Sequence, residues 1–305
     1  GNNNVNGIDA DANGDGSGEE VHELRDTRIT GYQEAYVRKV IDTLNDLDNV
    51  LYEISNESHA NGTAWQYHMV DYIKAYQASK AQQHPVGISV EYPGGSNAEL
   101  WASNADWVAP NEFAGAFDYK TNPPAGDGSK VVVADTDHLW GIGGDRTWVW
   151  KSFTRGLNPI FMDGYDGAAY GAGGVGFNFN DPVWVSLRAN MGYSRSYAQR
   201  MNLALALPRG ELSSTGYCLA NAAASGGQYL VYQPLNGAFT VDVRATAGAL
   251  NVEWLNPATG AVTAGGTVSG RAARRVPPPL CGGAPPYPPG RVARALARVP
   301  PRRFP

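Results

Sequence analysis

Two stretches of this 305-residue chain run from apolar residues into carboxylates. The first is Val50-Leu-Tyr-Glu-Ile-Ser-Asn56-Glu57, and the second is Lys130-Val-Val-Val-Ala-Asp135-Thr-Asp137-His138. Two carboxyl groups on either side of one bond can divide the work of cleaving it: one donates a proton to the leaving oxygen, and the other stays ionised. The proton donor must remain protonated near neutral pH, which burial and a nearby carboxylate can arrange. On a strand, positions 131, 133, 135 and 137 share one face, so Asp135 and Asp137 are both expected to point into one site. Each motif also has a plainer reading. Asn56 and Glu57 suit the start of a helix, and the aspartates could bind a ligand or cation, or cap the following loop.

The elements around these residues alternate. Apolar residues at 36, 37, 40, 41 and 44 predict a helix over 32–45, and further helices are expected near 63–80, 145–156 and 184–203. Five strands are expected near 50, 87, 107, 132 and 160. Each ends in polar or acidic residues: Asn56/Glu57, Glu91, Asn111/Glu112, Asp135/Asp137 and Asp163/Asp166. Strands alternating with helices imply parallel pairing and right-handed crossovers. In a (β/α)8 barrel, chemistry sits at the C-terminal strand ends. Residues 1–208 therefore read as an α/β fold, a (β/α)8 TIM barrel lacking its first strands. Reading the five as strands four to eight places three more upstream, and the start Gly1-Asn-Asn-Asn suggests a processed or truncated N-terminus. Such a fragment would expose unpaired strand edges and aggregate.

Near Pro208 the period changes to two. Gln228-Tyr-Leu-Val-Tyr, Phe239-Thr-Val-Asp-Val and Leu250-Asn-Val-Glu-Trp-Leu, with Asn-Gly and Pro-Ala-Thr-Gly turns between them, predict a small antiparallel β-sandwich over 209–270. Residues 271–305 are Arg, Pro, Ala and Gly without a usable period and read as a disordered or frameshifted tail. They hold eight Arg and no acid, so 1–270 carry a formal −13 against −5 for the whole chain. That acidic body holds all 8 Trp and 15 of the chain's 16 Tyr, which argues against nucleic acid, since its phosphates need a basic surface, and suits neutral sugars. No apolar run of eighteen residues is present, so no membrane span is expected. Cys218 and Cys281 alone make no disulfide framework.

The stretch Asn49-Val-Leu-Tyr-Glu-Ile-Ser-Asn56-Glu57 resembles the fourth strand of the glycoside hydrolase clan that includes cellulases and mannanases. The resemblance implies that Glu57 is the general acid/base and that Asn56 binds the sugar 2-hydroxyl. The clan's second carboxylate, at the end of strand seven, falls at Asp135, the implied nucleophile. The clan has Glu there, and Asp is one methylene shorter. With Asp135-Thr-Asp-His-Leu-Trp-Gly-Ile-Gly-Gly-Asp145 and Trp148-Val-Trp-Lys-Ser-Phe153, the chain is similar to apiosidase-like bacterial glycosidases. In these a small domain labelled collagen-binding follows the barrel; Tyr229-Leu-Val-Tyr and Leu250 to Gly260 resemble it. The likeness covers about 1–270. It implies a secreted or periplasmic retaining glycosidase acting on a plant or microbial polysaccharide, with carbohydrate as partner and no cofactor for the chemistry. Asp137, His138, Trp140, Glu91, Asp163 and Tyr165 would then contact sugar. Two alternatives are an inactive carbohydrate-binding relative, which the Asp at strand seven favours, and a surface adhesion protein acting through its β domain.

A third motif is separate. Asp9, Asp11, Asn13, Asp15 and Glu20 fit the calcium-loop pattern D-x-[DN]-x-[DN]-G-x5-E, with Gly14 at the sharp turn. No helix precedes it and its eighth position is Gly, so a lone structural Ca2+ is expected rather than a sensor hand; the plainer reading is a flexible Asp/Gly loop. Trp140 lies in a Gly-flanked loop where it could stack on sugar, whereas Trp148 and Trp150 read as helix core. His59 and His138 are candidate sugar hydrogen-bonders, although a lone loop His is usually just solvated. Gly141-Ile-Gly-Gly144 lacks the Gly-Lys-Ser/Thr ending of a phosphate loop.

Overall fold

Helix boundaries follow from local capping. Asp26 accepts from the Arg28 amide at 2.8 Å and starts α1 (Thr27–Leu44). α2 is Thr63–Gln77, and α3 (Asn97–Ala102) opens on a capping box of Ser96 and Glu99. The computed structural model describes residues 7–112, 118–164, 169–170, 175–235, 237–276 and 291–297. Between the helices run β1 (Tyr52–Glu53), β2 (Val86–Ser89), β3 (Trp107–Ala109), β4 (Val131–Asp135) and, beyond α4 (Thr136–Leu139) and α5 (Arg146–Thr154), β5 (Leu157–Ile160). These are the five expected strands. They form one sheet in the order β1-β2-β3-β4-β5, and the β1–β2, β2–β3 and β3–β4 pairs are parallel.

The chain divides into two compact units, Gly1–Ala116 with Lys130–Val133, and Phe117–Ser129 with Ala134–Pro305. In the first, β2 and β3 are buried along their whole length, as expected of parallel strands covered on both faces. Gly87 is Gly because the Trp107 ring lies on it: a Cβ there would stand 2.0 Å from the indole. α2 is tied to β3 by the Lys74–Asp106 pair at 2.6 Å. β1 ends the sheet among the described residues, and beside it α1 and α2 line an apolar cavity of about 480 Å³ with Tyr36, Val37, Tyr52, Trp65 and Met69 on its walls. Tyr36 is 71% exposed there.

In the second unit, β6 (Ala169–Tyr170) and β7 (Val175–Gly176) form a hairpin, and Asp181 with Pro182 opens α6 (Pro182–Gln199). The antiparallel part comprises β8 (Leu207–Pro208), β9 (Cys218–Asn221), β10 (Gln228–Gln233), β11 (Phe239–Asp242), β12 (Ala249–Leu255), β13 (Val262–Ser269), β14 (Ala273–Val276) and β15 (Arg291–Ala297). Six of these make one sheet, β13-β12-β15-β10-β9-β8, and β11 pairs with β14. Alternation sorts the large sheet's side chains onto two buried faces. Cys218, Tyr229, Val231, Leu250 and Trp254 pack with Phe239 and Val241 of β11. Leu219, Leu230, Tyr232, Leu255 and Val292 pack with Trp150 and Phe153 of α5 and Tyr197 of α6.

Two expectations differ from this arrangement. The compact units divide within β4 and not at residue 208, because the antiparallel sheet shares its core with α5 and α6. The stretch read as a tail without period contributes β14 and the central strand β15. In β15, Arg291-Val-Ala-Arg-Ala-Leu-Ala alternates over seven residues, and Val292 is fully buried.

Candidate active site

In the first unit, β1 hands the chain to a braced turn. The Ile54 amide bonds the Gly87 carbonyl at 3.2 Å, and three residues beyond it Glu57 adopts the left-handed backbone, φ 49°. For a residue with a Cβ this conformation costs about 1–2 kcal/mol, so the surroundings must impose it. Ser58, buried, supplies the restraint. Its carbonyl accepts from the Tyr92 amide at 2.9 Å, and its hydroxyl accepts from Gln66 Nε2 at 3.0 Å. Glu57 and Asn56 are both exposed. The burial expected to keep Glu57 protonated is therefore not present around it.

The buried carboxyl of this unit is Glu91, 3% exposed, at the end of β2. It accepts from Thr63 Oγ1 at 2.8 Å, in the first turn of α2. Burial pushes its pKa up from the ordinary carboxylate value, and the Glu99 charge acts the same way, against the hydrogen bonds that favour ionisation. Glu91 thus braces α2 against the sheet. At the end of β3, Asn111 is buried and exchanges two hydrogen bonds with Asn97, at 2.8 and 2.9 Å. Glu53 on β1, which the sequence reading passed over, is exposed and accepts from the Ser89 hydroxyl. His59 is held by Glu19: Nε2 lies 2.8 Å from the Glu19 carbonyl oxygen and Nδ1 lies 3.3 Å from its carboxylate.

In the second unit, the strand alternation stops at Asp135. The Asp135 carboxylate accepts from the Asp137 amide at 2.9 Å and caps α4, so Asp137 sits in a helical turn and does not share a strand face with Asp135. This corrects the expectation that both point the same way by alternation. His138 is buried in that turn. Trp140 is 37% exposed and meets Trp148 edge to face at 5.6 Å, with Lys120 Nζ 5.7 Å from its ring centroid. These residues line a cavity of about 320 Å³ together with Asp145 and Lys151, which the sequence reading had not singled out. Asp163 pairs with Arg188 at 2.8 Å. Tyr165, like Asp166, lies outside the described residues. Trp150 is core, as expected, bonding Asn190 at 2.8 Å.

Of the calcium-loop residues, Asp9, Asn13 and Asp15 are exposed, Asp11 is half-buried and Glu20 is buried. Among the described residues, no three His, Cys, Asp or Glu side chains converge as a ready-made metal cage. Among them also, no helix is long and apolar enough to cross a membrane.

No protein-family model matches the sequence, and no curated relative does. Solved structures do match in fold. One described as a glycoside hydrolase superposes with a TM-score of 0.56 at 12% identity, over 91% of this chain and 70% of its own. A glycoside hydrolase family 5 structure from Bacteroides vulgatus ATCC 8482 superposes at 0.54 and 13% identity, over 87% and 66%. The mixed α/β fold with its five-stranded sheet is thus one also found in glycoside hydrolases.

Proposed function

We propose that this chain is part of a glycoside hydrolase of the (β/α)8 type, with β1 to β5 as barrel strands four to eight, followed by a small β-sandwich built from β8 to β15. Glu57 is the general acid/base, Asp135 is the nucleophile of a retaining reaction, and Asn56 binds the 2-hydroxyl. The observation that carries this reading is the left-handed, braced turn at Glu57, at the C-terminal end of the first sheet strand. Strain held at a strand end is the kind of feature that functional sites retain. The fold likeness to glycoside hydrolases supports it. Asp137, His138 and Trp140 shape the sugar subsites, with Trp140 offering a ring face. Glu91 serves the site by bracing its scaffold. The β-sandwich has a packing role, since both faces of its large sheet are buried along β9, β10 and β12. The enzyme acts outside the cytoplasm on a plant or microbial polysaccharide.

The test is release of reducing ends from a panel of such polysaccharides by the wild type and by Glu57→Gln and Asp135→Asn. Glu57→Gln should lose about 10²–10⁴-fold in turnover with its fold intact. Unchanged turnover would remove Glu57 from the chemistry. A second reading, binding without cleavage, is favoured by one observation: the Asp135 carboxylate is engaged in capping α4. Oligosaccharide binding by calorimetry, with no reducing ends released by the wild type, would identify that case.

A further inference from the structure

The proposed chemistry leaves the Asp9–Glu20 loop without a task. Its polar side chains fold the loop on itself. Asp9 Oδ1 accepts from the Asp11 amide at 3.1 Å, Asp11 Oδ2 from the Gly16 amide at 3.0 Å, and Asn13 Oδ1 from the Asp15 amide at 3.0 Å. Gly14 takes φ 75° at the turn. None of these bonds requires an ion. Two oxygens argue for one. Glu20 is 4% exposed and reaches back over the loop, where Oε1 accepts from the Asn13 amide at 2.9 Å; its Oε2 is buried with no hydrogen-bond partner. Asp11 Oδ1 is likewise buried without a partner. A carboxylate oxygen removed from water and left bare is more unfavourable than a bare neutral group, and a cation removes that cost.

We propose that this loop binds one Ca2+ ion, with buried Glu20 and the buried Oδ1 of half-buried Asp11 as anchors and Asp9, Asn13 and Asp15 completing an all-oxygen shell. Hard oxygen donors on a flexible loop select calcium over zinc or copper. The exposed carboxylates of Asp9 and Asp15 close onto the ion as it enters, which makes binding and loop ordering one event. The ordering passes to the turn at Glu57. Glu19 grips His59, and Gln33 of α1 holds the Val21 carbonyl at 2.7 Å, so the segment that the ion fixes is the one on which residues 57–62 rest. This inference stands whether or not Glu57 is catalytic.

The experiment titrates the chelator-treated full chain with calcium chloride by calorimetry and follows its thermal midpoint. The expected result is a one-site isotherm with Kd on the order of 10⁻⁴ M, a raised midpoint, and added hydrogen-exchange protection at residues 57–62. Asp9→Asn, at an exposed position, should weaken binding about tenfold or more without changing the calcium-free midpoint. Glu20→Gln should abolish it. No heat and no midpoint shift in the wild type would overturn the proposal. So would heat that persists unchanged in both variants, since the ion would then lie elsewhere.

Discussion

Replacing Glu57 with Gly and, separately, with Ala isolates the strain at the turn. The side chain is exposed, so neither truncation uncovers buried surface, and the backbone conformation should decide the outcome. Both remove the carboxylate; only Gly accepts φ 49° without a Cβ clash. Relief of the left-handed conformation is worth about 1–2 kcal/mol, and the extra freedom of Gly in the unfolded chain takes back about 0.5–1 kcal/mol. Glu57→Gly should therefore be more stable than Glu57→Ala by about 0.5–1 kcal/mol, the reverse of the order found in ordinary helix or strand positions. Urea denaturation of the two variants, with equal m values, reads this difference. Both should lose turnover, so the Gly variant should gain stability as it loses activity. An Ala variant at least as stable as the Gly variant would refute the strain argument and the functional reading built on it.

Glu91→Gln tests the buried brace through pH. The folded pKa is raised, so ionisation of Glu91 opposes folding. That opposition is absent below the unfolded value near 4.5 and grows as pH rises through the folded value. Glu91→Gln should be the more stable protein at pH 7, with the gap closing by pH 4; a gap independent of pH would count against this assignment. Gly87→Ala should destabilise by about 1–3 kcal/mol, because its Cβ meets the Trp107 ring; a neutral effect in urea denaturation would mean that the ring yields. Val292→Ala should cost about 1.5–3 kcal/mol, the worth of a buried Val. A neutral result would show that β15 does not share the core with Leu230 and Tyr232.

The strands and helices around the site were legible because each carries a strong local signal. β1 to β5 fall where apolar runs end in carboxylates, α1, α5 and α6 where a capping residue meets a 3.6-residue period, and α2 where the period stands without a side-chain cap. α4 was not, because four residues are too few to show a period, and the Asp135 that caps it also completes a strand alternation. The turn at Glu57 was hidden because nothing local marks a Glu for the left-handed region. It is imposed by Ser58 bonding Tyr92 and Gln66, contacts that are distant in sequence. β15 was passed over because its Ala-rich alternation is weak and its partners lie on β10 and β12. The burial of Glu91 is likewise a tertiary fact, whereas the cap Asp135 makes on α4 is a local bond that competes with the strand alternation, so the sequence could propose these carboxylates but not sort them into chemistry and scaffold.

The most direct test of Glu57 as proton donor compares aryl glycosides of graded leaving-group basicity with the wild type and Glu57→Gln. A lost acid should slow cleavage by about 10²–10⁴-fold where the departing phenolate is a strong base and needs the proton. Where the leaving group departs unassisted, the variant should stay close to wild-type rates. Equal losses across the series would contradict the assignment, since a residue that merely holds substrate or fold does not distinguish one leaving group from another.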